Sequence, residues 1–161
     1  MVEPWLRGTL TEFDGVRRQV LHALESAGED VERWCGELTA QEMEATPFGV
    51  ASVGFHLRHM ARSLDRLLTY AEGGALSERQ LEMLGSEMVG SDALGEFREG
   101  LRVAMERVKG IRPETFEEVR WVGRAGLPTT VAGLVVHCAD HTQRHVGQAV
   151  TTAKVVLGMR G

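Results

Sequence analysis

Residues 52–68 read SVGFHLRHMARSLDRLL. From Val53 the apolar residues Leu57, Met60, Leu64, Leu67 and Ala71 follow at spacings of three and four, the period of one helix face. Ser52 stands where an N-cap belongs, with a hydroxyl that can accept from a free amide of the first turn. Gly73-Gly74 ends the run. The stretch predicts an amphipathic helix turned toward a core, and it carries His56 and His59.

The same period recurs on both sides. Upstream, Phe13, Val16, Val20, Leu24, Ala27, Val31, Trp34 and Leu38 form one stripe, with Thr11 and Asp14 as a weak capping pair. Pro47 and Gly49 lie in the connection that follows. Downstream, Ser77 and Gln80 fit the capping box of a short helix. A third long helix begins near Ser91 and buries Leu94, Phe97, Leu101, Ala104, Val108 and Ile111. An irregular connection runs from about Gly110 to Pro128; its weak alternation at Glu118–Val122 reads as loop. Thr129 or Thr130 caps the last helix, which presents Val131, Val135, Cys138, Thr142, Ala149 and Val156. Four long helices and no convincing strand predict an all-α four-helix bundle, one domain over residues 1–161. Its connections are long, and at least one is expected to cross the end of the bundle.

Composition narrows the partners. Hydrophobic residues are 43% of 161, enough for a core without disulfides. Lys plus Arg is 18 against 23 Asp plus Glu, a formal charge of -5, whereas phosphate backbones call for a basic face. No apolar run approaches the roughly 20 residues that span a bilayer. The start, MVEPWLRGTL, lacks the basic and apolar regions of a secretory signal. Cys35 and Cys138 fall in separate helices, as expected of reduced thiols in a cytoplasmic protein. A small molecule is the expected partner, with no nucleic acid and no membrane.

Five of the six histidines fall in two clusters, His56 with His59 and His137 with His141 and His145; His22 lies apart. Residues four apart on a helix differ by about 40° in direction, so His141 and His145 point the same way. Such a pair can grip one metal ion, and a third imidazole from a facing helix would complete the set while leaving a position open. Burying several imidazoles without partners is costly, which favours a shared ion. Periodicity favours His56 as the third ligand, because it lies nearer the apolar stripe than His59. Other chemistries find no support. HTQRH has Thr142 where a zincin places its glutamate, and no helix carries Glu-x-x-His. Neither a glycine-rich phosphate loop nor a GxSxG elbow occurs.

Two stretches, SVGFHLRHMARSLDRLL at Ser52–Leu68 and HCADHTQRHVGQ at His137–Gln148, resemble the DinB/YfiT-like superfamily of metalloenzymes. In that register the metal-binding histidine before Met60-Ala61 is His59, and the pair before x-Gly-Gln is His141 and His145. The resemblance implies an up-down-down-up four-helix bundle, often a homodimer. It also implies a three-histidine site for nickel or zinc, although three imidazoles suit copper or iron as well. Relatives with assigned reactions include thiol-dependent enzymes such as the mycothiol-dependent maleylpyruvate isomerase and bacillithiol S-transferases. The resemblance therefore also implies a low-molecular-weight thiol cosubstrate. Val146 stands where relatives often carry Arg, so no role of that Arg transfers.

Around such an ion, Asp140, His137 and His56 are candidates for orienting ligands or moving protons, and Gln148 for a hydrogen bond near the site. Arg58, Arg62, Arg66, Arg124 and Arg144 are candidates for an anion-binding rim, with solvated charge as the plainer expectation. Trp121 is a candidate cover for the site mouth, with core or dimer packing expected first. Cys138, on the apolar stripe, reads as a packing residue rather than a nucleophile. The expected function is a metal-dependent transferase or hydrolase of a small molecule. The alternative is a non-catalytic, metal-stabilised bundle with a role in stress response or association.

Overall fold

Asp14 opens the first helix by accepting hydrogen bonds from the amides of Val16 and Arg17. It is the cap itself, in place of the Thr11–Asp14 pair read from sequence, because its carboxylate meets two free amides directly. The computed structural model describes residues 2–88, 90 and 92–160. Within them the chain is mostly helical: α1 (Gly15–Cys35), α2 (Ala40–Met43), α3 (Val53–Ala71), α4 (Glu78–Glu82), α5 (Ala93–Gly110) and α6 (Val131–Gly158).

Most caps follow from short polar side chains. The Ser52 hydroxyl accepts from the Phe55 amide, and Thr130, rather than Thr129, accepts from Gly133. Ser77 and Gln80 form the expected box at α4. Thr39 and Glu42 form another at α2, a turn that the apolar pattern did not signal. Leu38, counted into the first stripe, lies beyond the end of α1. The cap expected at Ser91 lies outside the described residues; α5 is capped by Asp92, whose carboxylate accepts from Gly95.

The four long helices share one apolar cluster that takes in Leu24 and Val31, Leu57 and Leu64, Phe97 and Val108, and Val135 and Ala149. α3 is the most enclosed. Val53, Gly54, His56, Leu57, Arg58, Met60, Ala61, Arg62, Ser63 and Leu64 are all buried, so this helix keeps almost no solvent face over three turns. Cross-contacts fix how the helices lie. Arg17 at the start of α1 donates to the carbonyls of Lys109 and Ile111 at the end of α5, and Arg98 near the start of α5 pairs with Glu32 late in α1. Gln143 of α6 donates to the Ala23 carbonyl, and Lys154 lies over Trp34. Thr152 of α6 reaches the Ala51 carbonyl ahead of α3.

The connection before α6 holds a hairpin where loop was expected. β1 (Val119–Val122) pairs antiparallel with β2 (Leu127–Thr130), Val119 facing Thr130 and Val122 facing Leu127. Gly123 and Gly126 turn it with φ of +70° and +57°. No residue of either strand is fully buried, so the sequence carried little of the apolar alternation that marks a strand. The hairpin is tied to the end of α3, where Arg120 donates to the Ala71 carbonyl. Trp121 is 63% exposed, which removes the core half of its expected core or dimer packing. Among the described residues no helix is long and apolar enough to cross a membrane.

α3 and α5 touch at Gly100. A Cβ there would stand 2.7 Å from Ala61 Cβ and 3.0 Å from its Cα. Alanine is better in a helix by about 1 kcal/mol, but overpacking costs about 1–3 kcal/mol. Because the neighbour includes backbone, the steric cost wins. Gly100→Ala is expected to lower stability by about 1 kcal/mol in urea unfolding, where an exposed helical glycine would gain from the same change.

Candidate metal centre

His56 and His59 lie on α3, and His137, His141 and His145 on α6. The two helices face each other, and the rings meet between them. Nε2 of His59 lies 3.1 Å from Nε2 of His141, and Nδ1 of His56 lies 3.0 Å from Nδ1 of His145. Ring centroids are 4.5 Å apart for His59 and His145, 4.6 Å for His141 and His145, and 5.0 Å for His59 and His141. One nitrogen from each of His59, His141 and His145 falls within 4.8 Å of the others.

The 3.1 Å between the His59 and His141 nitrogens matches a divalent ion. Zinc–nitrogen bonds of about 2.0–2.1 Å in a tetrahedral site put ligand nitrogens about 3.3 Å apart. The donors are all imidazoles, which suit zinc and nickel among others. Nδ1 of His141 is buried without a partner, so nothing draws that ring away from the nitrogen it turns toward His59. Among the described residues no fourth His, Cys, Asp or Glu joins the group.

Burial explains the choice between His56 and His59. Periodicity pointed to His56, and its ring is indeed the more buried. Because α3 is enclosed on almost every side, its apolar stripe is not its only inward face. His59, on the flank, meets both α6 histidines, whereas His56 stands behind His145 and outside the group of three.

Burial also sets the protonation. Desolvation, and then the nearness of His59, push His141 and His145 down to about 4 from 6.5; desolvation lowers His56 as well. The fold therefore disfavours protonation of His141 and His145 and leaves them in the form that ligates. An unfolded chain takes up protons near pH 6.5 that the folded rings refuse until about pH 4. Metal-free protein is expected to lose stability as pH falls through that window, with no contribution from these rings above it. Urea midpoints between pH 7.5 and 4.5 measure the slope. The double substitution His141→Leu, His145→Leu should flatten it; an unchanged slope would contradict the shifts.

The other candidates separate. His137 borders the site, its ring centroid 5.6 Å from that of His141, but its side chain is 45% exposed and turns toward Asp140. Asp140 pairs with Arg144, and both side chains are largely exposed. Gln148 and Arg144 line a cavity of about 560 Å³ that reaches His56 and is walled by Phe48, Val50, Thr151 and Val155. Phe48 is 90% exposed and held at φ +53°.

The arginine rim does not form as a set. Arg58 is fully buried on Glu44 and the carbonyls of Glu87 and Gly90. Arg62 holds Glu96 and Ser86, while Arg124 sits in the hairpin turn, far along the chain from these partners. Cys138 has no exposed surface, and burial pushes its thiol up to about 12, as a packing residue requires. Glu87, in the segment between α4 and α5, was not foreseen. Its carboxylate is buried beside His59 and Arg66, and a lone acid outside any periodic element gives no sequence signal.

With this geometry in place, comparison with family models matches residues 23–149 to the DinB superfamily. The chain belongs to the DinB superfamily. Comparison with curated proteins gives no match. The matched span of this DinB protein takes in all five clustered histidines and Glu87.

Proposed function

We propose that this DinB protein is a metal-dependent enzyme, a transferase or hydrolase of a small molecule, with zinc or nickel held by His59, His141 and His145. The observation that carries the reading is three nitrogens within 4.8 Å with no fourth protein donor among the described residues. A closed four-ligand sphere would be structural, whereas three ligands leave a position for substrate or water. When bound, the ion supplies a Lewis acid that polarises a carbonyl or lowers the pKa of a water or thiol. The chain's own groups supply placement. His56 backs His145, and Gln148, Thr151 and Arg144 offer hydrogen-bond partners along the adjoining cavity. Phe48, Val50 and Val155 give that cavity an apolar wall against which a substrate's carbon skeleton loses water. A low-molecular-weight thiol is the proposed cosubstrate.

The reading includes a single domain over residues 1–161, folded as an up-down-down-up four-helix bundle, working as a cytoplasmic homodimer. Its topology is supported by the cross-contacts of Arg17 with the end of α5, of Ala23 with Gln143, and of Ala51 with Thr152.

A screen of thiols against electrophilic and ester substrates tests the reading, with metal-loaded protein beside chelator-treated protein. Turnover is expected only in the loaded sample and is lost in His145→Ala. Full metal occupancy with no turnover on any thiol or ester would favour the non-catalytic bundle instead.

A further inference from the structure

Glu87 is a buried acid in the segment joining α4 to α5, with only 8% of its side chain exposed. A carboxylate in such a place needs donors around it, because an unpaired buried charge is strongly unfavourable. Two groups face it. Nη2 of Arg66 lies 3.8 Å from Oε1, too long for a close bidentate pair, and that same nitrogen donates to Ser63. Nδ1 of His59 lies 3.5 Å from the same oxygen. The carboxylate therefore stands on the side of the His59 ring opposite Nε2, the nitrogen that faces His141.

We infer that Glu87 is a positioning residue for His59: its carboxylate accepts the Nδ1 proton and thereby commits Nε2 to the metal. This inference rests on the three-histidine reading above. An imidazole bears one proton when neutral, so an acceptor at Nδ1 leaves Nε2 bare and fixes the ring plane. His145 has an analogous backing from Nδ1 of His56, while Nδ1 of His141 is unpartnered. His59 is thus the ligand backed by a charged acceptor. The backbone holds the acid in place: Nε of Arg58, the neighbour of His59 on α3, donates to the Glu87 carbonyl at 2.6 Å. One helix turn accordingly presents the ligand and ties down the segment that orients it.

The test compares Glu87→Gln and Glu87→Ala with the wild-type chain in two measurements. Competition for zinc against a chromophoric chelator should show affinity weakened about 10-fold in Glu87→Gln and about 100-fold in Glu87→Ala. Long-range proton–nitrogen spectra of the metal-free proteins should show His59 as the Nδ1–H tautomer in wild type and a mixture in Glu87→Ala. A merely structural role would change melting temperature without moving the tautomer. Glu87→Gln keeps the shape of the side chain and serves if the alanine variant fails to fold. Zinc affinity within twofold of wild type in Glu87→Gln, with an unmoved His59 tautomer, would overturn the inference. Wild-type protein that takes up no zinc would overturn the metal reading instead, and the metal-free spectra would still decide whether Glu87 sets the His59 proton.

Discussion

Purified without a histidine tag and dialysed against trace zinc, the protein is expected to hold close to one ion per chain, and His141→Ala to hold almost none. Among the described residues His141 is one of three grouped donors, and its ring lies close to both others. Losing an outer-shell partner weakens a metal about 10–100-fold, and losing one of three direct ligands should exceed that. Stability reports the same event. An ion present at about 1,000 times its Kd adds about 4 kcal/mol to the folded state. For a chain of this size each kcal/mol moves Tm by about 2–4 °C, so chelation should lower the wild-type Tm by about 8–16 °C. His141→Ala should melt at one temperature with or without zinc. Equal zinc content in the two proteins, or a wild-type Tm indifferent to chelator, would contradict the centre.

The largest effect unrelated to metal is expected at Arg58. Its guanidinium has no exposed surface and makes four hydrogen bonds, two to the Glu44 carboxylate and one each to the Glu87 and Gly90 carbonyls. Removing one partner of a buried charged pair costs about 3–5 kcal/mol. Glu44 is 43% exposed and can return to water, which argues for the low end, about 3 kcal/mol. Arg58→Met should therefore lower Tm by about 6–12 °C. Arg58→Lys should recover little, because one ammonium cannot span both carboxylate oxygens and two carbonyls. A loss under about 1 kcal/mol in denaturant unfolding would show that the pair is replaceable by packing.

The helices were legible because their signals are local. The stripe at Val53, Leu57, Met60, Leu64 and Ala71 is buried as read, with Leu67 only partly so, and Val131, Val135, Cys138, Thr142, Ala149 and Val156 on α6 are buried too. The hairpin was not, because Val119–Val122 and Leu127–Thr130 bury neither face fully. In the centre, the α6 pair followed from helix spacing alone. The choice of His59 did not: an enclosed helix has several inward faces, and only the resemblance separated His59 from His56. Glu87 and the burial of Arg58 depend on a segment returning from far along the chain, a tertiary fact with no periodic trace.

The enclosure of α3 has a consequence for variation. A helix that touches α5, α6 and the α4–α5 segment at once offers few positions where a side chain can change size or charge without a neighbour answering. In a saturation-mutagenesis screen, residues 53–64 should form the least permissive stretch of the chain, and polar positions such as Arg58 and Arg62 should be as intolerant as Leu57. Backbone amides of the same turns should exchange with deuterium last.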